Sequence, residues 1–131
     1  MRIPKAIYDQ MLDQAREEAP NECCGILGGK DGAASTMYRA TNAEQSPLRY
    51  TLDPNDLYRI SFQEIPENDE EMLAIYHSHT ASPAYPSQTD INLATYPDSI
   101  YLILSLAEGE QPLRGFRISD GEVSEVELTV G

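Results

Sequence analysis

Apolar residues recur along this chain at two spacings, and the alternation between them predicts its elements. Ile7, Met11 and Ala15 lie four apart with Leu12 beside them, the stripe of one helix, while Asp9, Asp13, Arg16, Glu17 and Glu18 take its solvent side. Pro4 suits the first turn of that helix, and Ala19-Pro20-Asn21 ends it. Residues 22–27 read as a strand, the glycine-rich 28–32 as a turn and 35–40 as a second strand, so a hairpin follows. Residues 41–48 are polar and turn-rich, and 49–52 look like a short strand. Asp53-Pro54 supplies an N-cap and a first helical position for a second helix through Leu57, Tyr58, Ile60 and Ser61, ending near Pro66. The acidic stretch 64–71 reads as a solvated linker.

The unbroken apolar run Met72, Leu73, Ala74, Ile75, Tyr76 predicts a buried strand. A stiff loop with Pro83, Tyr85 and Pro86 follows, then a helix opened by Ser87 and carrying Ile91, Leu93 and Ala94, which ends at Tyr96-Pro97-Asp98. Residues 100–106 form a strongly apolar strand, 108–110 a turn and 113–118 another strand. Ser119-Asp120-Gly121 is a hairpin turn, and Val123, Val126, Leu128 and Val130 belong to the last strand. The order helix, strands, helix, strand, helix, strands gives an α/β (α+β) architecture, a mixed β-sheet flanked by helices, in one domain over residues 1–131.

Composition narrows the function classes. The net charge of −13 and pI near 4.3 repel phosphate backbones, so nucleic acid is not an expected partner. No apolar run approaches the roughly 20 residues of a membrane span, and Met1-Arg2-Ile3-Pro4-Lys5 leads straight into the first helix, so no membrane is expected and the expected compartment is the cytoplasm. Cys23 and Cys24 are adjacent, which disfavours a disulfide between them. They read as two small apolar strand residues, one of them buried; a redox or thiolate-ligand role stays open but lacks the Cys-x-x-Cys spacing.

The candidate chemistry sits after the apolar run. His77 and His79 are the only two histidines in 131 residues, and on a strand their side chains share a face while Ser78 points away. That is how two metal ligands converge. Asp90, three residues after Ser87, falls in the first turn of the following helix and is the natural third ligand. Two histidines and a carboxylate leave a tetrahedral zinc one open position, the catalytic pattern. Each half has a plainer reading: two exposed polar residues at a strand end, and a simple capping box.

Taken together, His77-Ser78-His79, seven intervening residues, Ser87 and Asp90 resemble the JAMM motif of the MPN (Mov34/MPN/PAD-1) zinc isopeptidases. The family also carries an upstream glutamate, matched here by Glu22 in Asn21-Glu22-Cys23-Cys24-Gly25. Thr80 stands where many members have proline, a difference that touches loop stiffness rather than ligation. The resemblance covers essentially the whole chain and implies the MPN, cytidine-deaminase-like fold.

It also implies roles. Zn²⁺ is held by His77, His79 and Asp90; Glu22 takes the proton of the attacking water and passes it to the leaving amine; Ser87 donates a hydrogen bond to the tetrahedral oxyanion. The reaction is hydrolysis of an amide or isopeptide. The stretches around Asn42-Ala43, Ser46-Pro47 and Ala84-Tyr85-Pro86-Ser87 look most like the short prokaryotic members of Mec type. Those act on a ubiquitin-like sulfur-carrier protein with a Gly-Gly C-terminus and release cysteine from its adduct. Two alternatives remain: the same chemistry on isopeptide-linked ubiquitin-like conjugates, and a non-catalytic MPN scaffold. The oligomeric state, a homodimer included, stays open.

Overall fold

In the computed structural model, residues 1–109 and 111–131 are described; the expected turn at 108–110 reaches Glu110, which lies outside them. Among the described residues, eight strands form one mixed sheet in the order β7-β6-β5-β4-β2-β3-β1-β8. They are β1 (Arg2–Ile3), β2 (Cys24–Lys30), β3 (Ala33–Ala40), β4 (Glu71–His79), β5 (Ile100–Ser105), β6 (Leu113–Ser119), β7 (Glu122–Val126) and β8 (Thr129–Val130). Strands β7 and β8 stand at opposite ends of that order, yet only Glu127 and Leu128 separate them. The three steps from Val126 to Thr129 span at most about 11 Å, so the sheet must curl until its two edges come close together. The last strand expected over 123–130 is thus two strands that serve opposite edges.

Both faces of the sheet are covered. Helix α1 (Lys5–Glu18) lays Ile7, Met11 and Ala15 on one face, where they join Cys23, Leu27, Ala74, Tyr76, Leu102 and Leu104. The other face carries Cys24, Ile26, Ile75, Ile103 and Phe116 under Ile60 and Ile65 of the second helical segment and Ile91 of the third. Along β4, Ala74 and Tyr76 face α1 and Ile75 faces the opposite layer, so the strand reads as a continuous apolar run. The same covering buries both Cys23 and Cys24, where one buried residue was expected; each is a free thiol raised by burial, Cys23 to about 11 and Cys24 further still.

Several local expectations shift. Residues 28–30 continue β2 instead of turning, and the turn is Asp31-Gly32. A Cβ at Gly29 would lie 2.0 Å from the carbonyl oxygen of Ala33, and one at Gly28 would meet the Glu70 carboxylate at 2.7 Å. The pair marks close packing, not a bend. Residues 49–52 form no strand, only an isolated bridge between Asn42 and Leu52. The second helix runs as α2 (Pro54–Arg59), a π turn (Ile60–Glu64) and α3 (Ile65–Glu67), with Asp53 capping the N–H groups of Asn55 and Asp56 as expected. The acidic stretch is not all solvated linker: Glu70 accepts hydrogen bonds from Ser35 (2.5 Å), Thr36 (2.6 Å) and Tyr38. The hairpin turn at Asp120-Gly121 is present, both residues having positive φ.

Candidate active site

The site forms where β4 ends. Strand β4 pairs in parallel with β5, and the connection between them carries α4 (Gln88–Leu93), so β4, α4 and β5 make a βαβ unit. Ligands in such sheets gather outside the carboxyl ends of the strands. His77 and His79 are the last residues of β4 that face the α4 side, and both are buried. Ser78 faces the other way and accepts the Cys23 N–H at 2.8 Å.

Glu22 is delivered by register. Cys24 pairs with His77 in the antiparallel β2–β4 ladder, and the Ser78 N–H reaches the Cys23 carbonyl one step further on. The next step sets Glu22 opposite His79, and opposed residues share a face. One ligand atom from each of Glu22, His77 and His79 lies within 4.8 Å of the other two. Strand assignment begins at Cys24, so Glu22 precedes the strand it was expected to open.

Asp90 arrives from the other side. Ser87 caps α4: its Oγ accepts the Asp90 N–H at 3.0 Å, and Asp90 Oδ2 accepts the Ser87 N–H at 2.9 Å, a complete capping box. The same Oδ2 lies 3.2 Å from His77 Nε2 and 3.2 Å from His79 Nε2, and the two Nε2 atoms are 3.2 Å apart. The loop 80–86 that returns α4 over the strand end is tied down at three points. The Thr80 hydroxyl donates to the Pro20 carbonyl, the Ser105 hydroxyl to the Ser82 carbonyl, and the His79 Nδ1–H to the Pro83 carbonyl at 2.7 Å. The last bond sets the tautomer and leaves the Nε2 lone pair pointing at the triangle.

The triangle fits a metal. A tetrahedral ion with bonds of roughly 2.0–2.1 Å separates its ligand atoms by about 3.3–3.4 Å, close to the 3.2 Å edges here. Two buried atoms have no protein partner among the described residues, Glu22 Oε1 and His77 Nδ1. A buried carboxylate oxygen left bare beside two imidazoles is a group that protein hydrogen bonding alone does not account for. Burial pushes the Glu22 carboxyl up to about 7, with the His79 charge opposing and Asp90 adding to it. Burial also acts to raise Asp90, but its hydrogen bonds from His77, His79 and the Ser87 N–H outweigh that and hold it well below the usual carboxylate range. His77 is pushed down by burial, which favours the neutral form a ligand needs.

The sequence did not single out Tyr50 as a site residue. Its ring stacks on the His77 imidazole, centroids 4.2 Å apart and planes 19° from parallel. With Leu52, Leu57, Leu93, Tyr96 and Tyr101 it walls a cavity of about 240 Å³ that opens beside Asp90.

Residues 4–119 match the family described as prokaryotic homologs of the JAB domain. The chain belongs to that family. It is 39% identical over 127 residues to the CysO-cysteine peptidase of Mycobacterium tuberculosis, covering 95% of this chain and 86% of that protein. It is 30% identical over 129 residues to a probable TtuB-protein conjugate cleaving protease of Thermus thermophilus, covering 98% and 81%. The crystal structure of a JAB1/MPN domain protein from Archaeoglobus fulgidus superposes with a TM-score of 0.66 at 19% identity, over 99% of this chain and 98% of that one. The JAB member therefore has the MPN fold expected from its motif, and it is a metallopeptidase-type hydrolase.

Proposed function

We propose that this JAB-family chain is a zinc-dependent hydrolase that cleaves the amide joining the C-terminal glycine of a ubiquitin-like sulfur carrier to cysteine. Water adds across the bond, releasing cysteine and a carrier with a free Gly-Gly carboxylate. The observation that carries the reading is the 3.2 Å triangle of His77, His79 and Asp90 with the unpartnered Glu22 carboxylate beside it. The name of the 39% identical mycobacterial relative supports the choice of a carrier–cysteine adduct.

His77 Nε2, His79 Nε2 and Asp90 Oδ2 would hold the ion. When bound, zinc supplies Lewis acidity and makes water a nucleophile near neutral pH. Glu22, buried beside the two imidazoles with one carboxylate oxygen unpartnered, accepts a proton from the attacking water and returns it to the leaving nitrogen. Such transfer is typically worth roughly 10²–10⁴-fold. The exposed Ser87 keeps its hydroxyl proton free while its oxygen accepts the Asp90 N–H, so that proton is available to the oxyanion. The cytoplasm is the setting we assign to the reaction. Among the described residues, no helix is long and apolar enough to cross a membrane.

A second reading, cleavage of isopeptide-linked conjugates, is favoured by the name of the Thermus relative. The test is a carrier–cysteine adduct and a lysine-linked conjugate of the same carrier assayed side by side. Turnover confined to the lysine-linked conjugate would overturn the first reading. In the same assay Glu22→Gln should keep one zinc per chain and lose turnover; full activity would remove Glu22 as the base.

A further inference from the structure

We infer that Asn42 is a positioning residue, which fixes the base Glu22 and the wall residue Tyr50 to each other through the loop it holds. The inference rests on Glu22 being the base. Glu22 lies just outside the β2 ladder, which starts at Cys24. Both of its backbone groups bond to the loop 42–52 instead: its N–H donates to the Ser46 carbonyl at 2.9 Å, and its carbonyl accepts from Asn42 Nδ2 at 3.0 Å. The second hydrogen of that amide goes to the Arg49 carbonyl at 3.0 Å. Asn42 Oδ1 accepts the N–H groups of Glu44 at 3.0 Å and Thr51 at 3.1 Å.

One buried side-chain amide thus makes all four of its hydrogen bonds. The bond to Glu44 is an ordinary Asx turn. The other three are not local turn chemistry. They join the backbone of Glu22 to Arg49 and Thr51, the two residues that flank Tyr50. The Ala43 N–H to the Thr51 carbonyl, 2.8 Å, closes the loop. Tyr50 in turn stacks on His77. Glu22 and the triangle are therefore held in register from two directions, by the β2–β4 ladder and by this amide. A displacement of about 1 Å at such a site can cost on the order of 10²-fold in rate.

Asn42→Asp keeps the size and the two acceptor contacts but turns a carboxylate on the carbonyls of Glu22 and Arg49. The expected result is a fall in kcat of about 10–100-fold in folded protein that still binds one zinc, with KM changed by no more than about threefold. A merely structural role would lower activity only in proportion to folded or metal-loaded protein. If Asn42→Asp does not fold, amide hydrogen exchange in the unaltered protein decides. The Glu22, Glu44 and Thr51 amides should be strongly protected; exchange at free-peptide rates would overturn the inference. Glu22→Gln separates the two ideas. Its inactivity alongside an Asn42→Asp variant with normal kcat overturns only the role of Asn42. An active Glu22→Gln overturns the base assignment, and this role with it.

Discussion

The ring of Tyr50 lies almost parallel to the imidazole of His77, 4.2 Å from it, on the buried flank of the triangle. Burial holds the Tyr50 phenol well above its usual range, so the ring covers His77 as a neutral lid. Stacked pairs of this kind contribute roughly 0.5–1.5 kcal/mol. Removing the ring should therefore loosen His77 and weaken zinc binding by about 2–12-fold. Tyr50→Ala is expected to show this in competition with a chelator, and Tyr50→Phe to bind zinc as the unaltered protein does. Equal affinity in both variants would mean that the stack does not orient His77.

Asp90 has a larger part. It touches both imidazoles with one oxygen and receives the Ser87 N–H on that same oxygen. Asp90→Ala removes one of the three atoms we propose as ligands. Loss of a mere outer partner of a metal ligand already costs about 10–100-fold in affinity, so the loss here should exceed that. Zinc content after dialysis against weak chelator is the measurement. Unchanged occupancy would count against Asp90 as a ligand.

How much of this was legible depends on whether the signal was local. The His77/His79 pair, the Ser87–Asp90 capping box and the α1 stripe are patterns within a few residues, and each is found as expected. Strands β1 and β8 have two residues each, too few for any period, and they exist because the sheet curls. Gly28 and Gly29 resemble turn residues in sequence because crowding by Ala33 and Glu70 demands the same residue type. The approach of Glu22 to His79 depends on pairing residues more than fifty apart, a register no local pattern encodes. Tyr50 escaped notice for the same reason: its partner is 27 positions away.

The Glu22 carboxyl makes stability depend on pH in a defined direction. Burial raises it from 4.5 to about 7 in the folded, metal-free protein. Between those values the native state holds a proton that the unfolded chain has released, so native stability falls as pH rises through that window. Glutamine is neutral throughout and lacks this loss. Metal-free Glu22→Gln should therefore gain in Tm over the unaltered protein on going from pH 5 to pH 8. The Glu22 charge also raises His79, so glutamine lessens the stability that His79 loses as pH rises and moves the comparison in the same direction. Parallel Tm profiles would show that Glu22 is already charged at pH 5.

Ser87 separates catalysis from capping. As an N-cap it is worth about 1 kcal/mol, a few degrees in Tm at most for a chain of this size. As an oxyanion donor it is worth roughly 10²–10³ in kcat. Ser87→Ala should thus lose far more rate than stability. Ser87→Thr keeps both the cap and the hydroxyl and should restore much of the rate. A fall in kcat no larger than the fall in folded fraction would leave Ser87 with the cap alone.

Gly25 is a test of the scaffold beneath the site. A Cβ there would sit 2.2 Å from the Tyr76 hydroxyl oxygen and 2.5 Å from the Tyr38 carbonyl oxygen. The Tyr76 hydroxyl donates to Gln14 Oε1 at 2.5 Å, and Gln14 Nε2 donates to the Cys24 carbonyl at 3.0 Å. This chain of bonds joins α1, β2 and β4 across a fully buried glutamine. Gly25→Ala cannot be relieved by Tyr76 alone, because the Tyr38 contact is backbone. Overpacking typically costs about 1–3 kcal/mol, and an unpaired Gln14 adds roughly 1–3 kcal/mol. Urea unfolding should place the variant at least about 2 kcal/mol below the unaltered protein. Because His77 pairs with Cys24, the residue next to the insertion, zinc affinity should fall as well. A variant of unchanged stability would show that the β2–β4 ladder yields without cost, and that the register aligning Glu22 with His79 is softer than the packing implies.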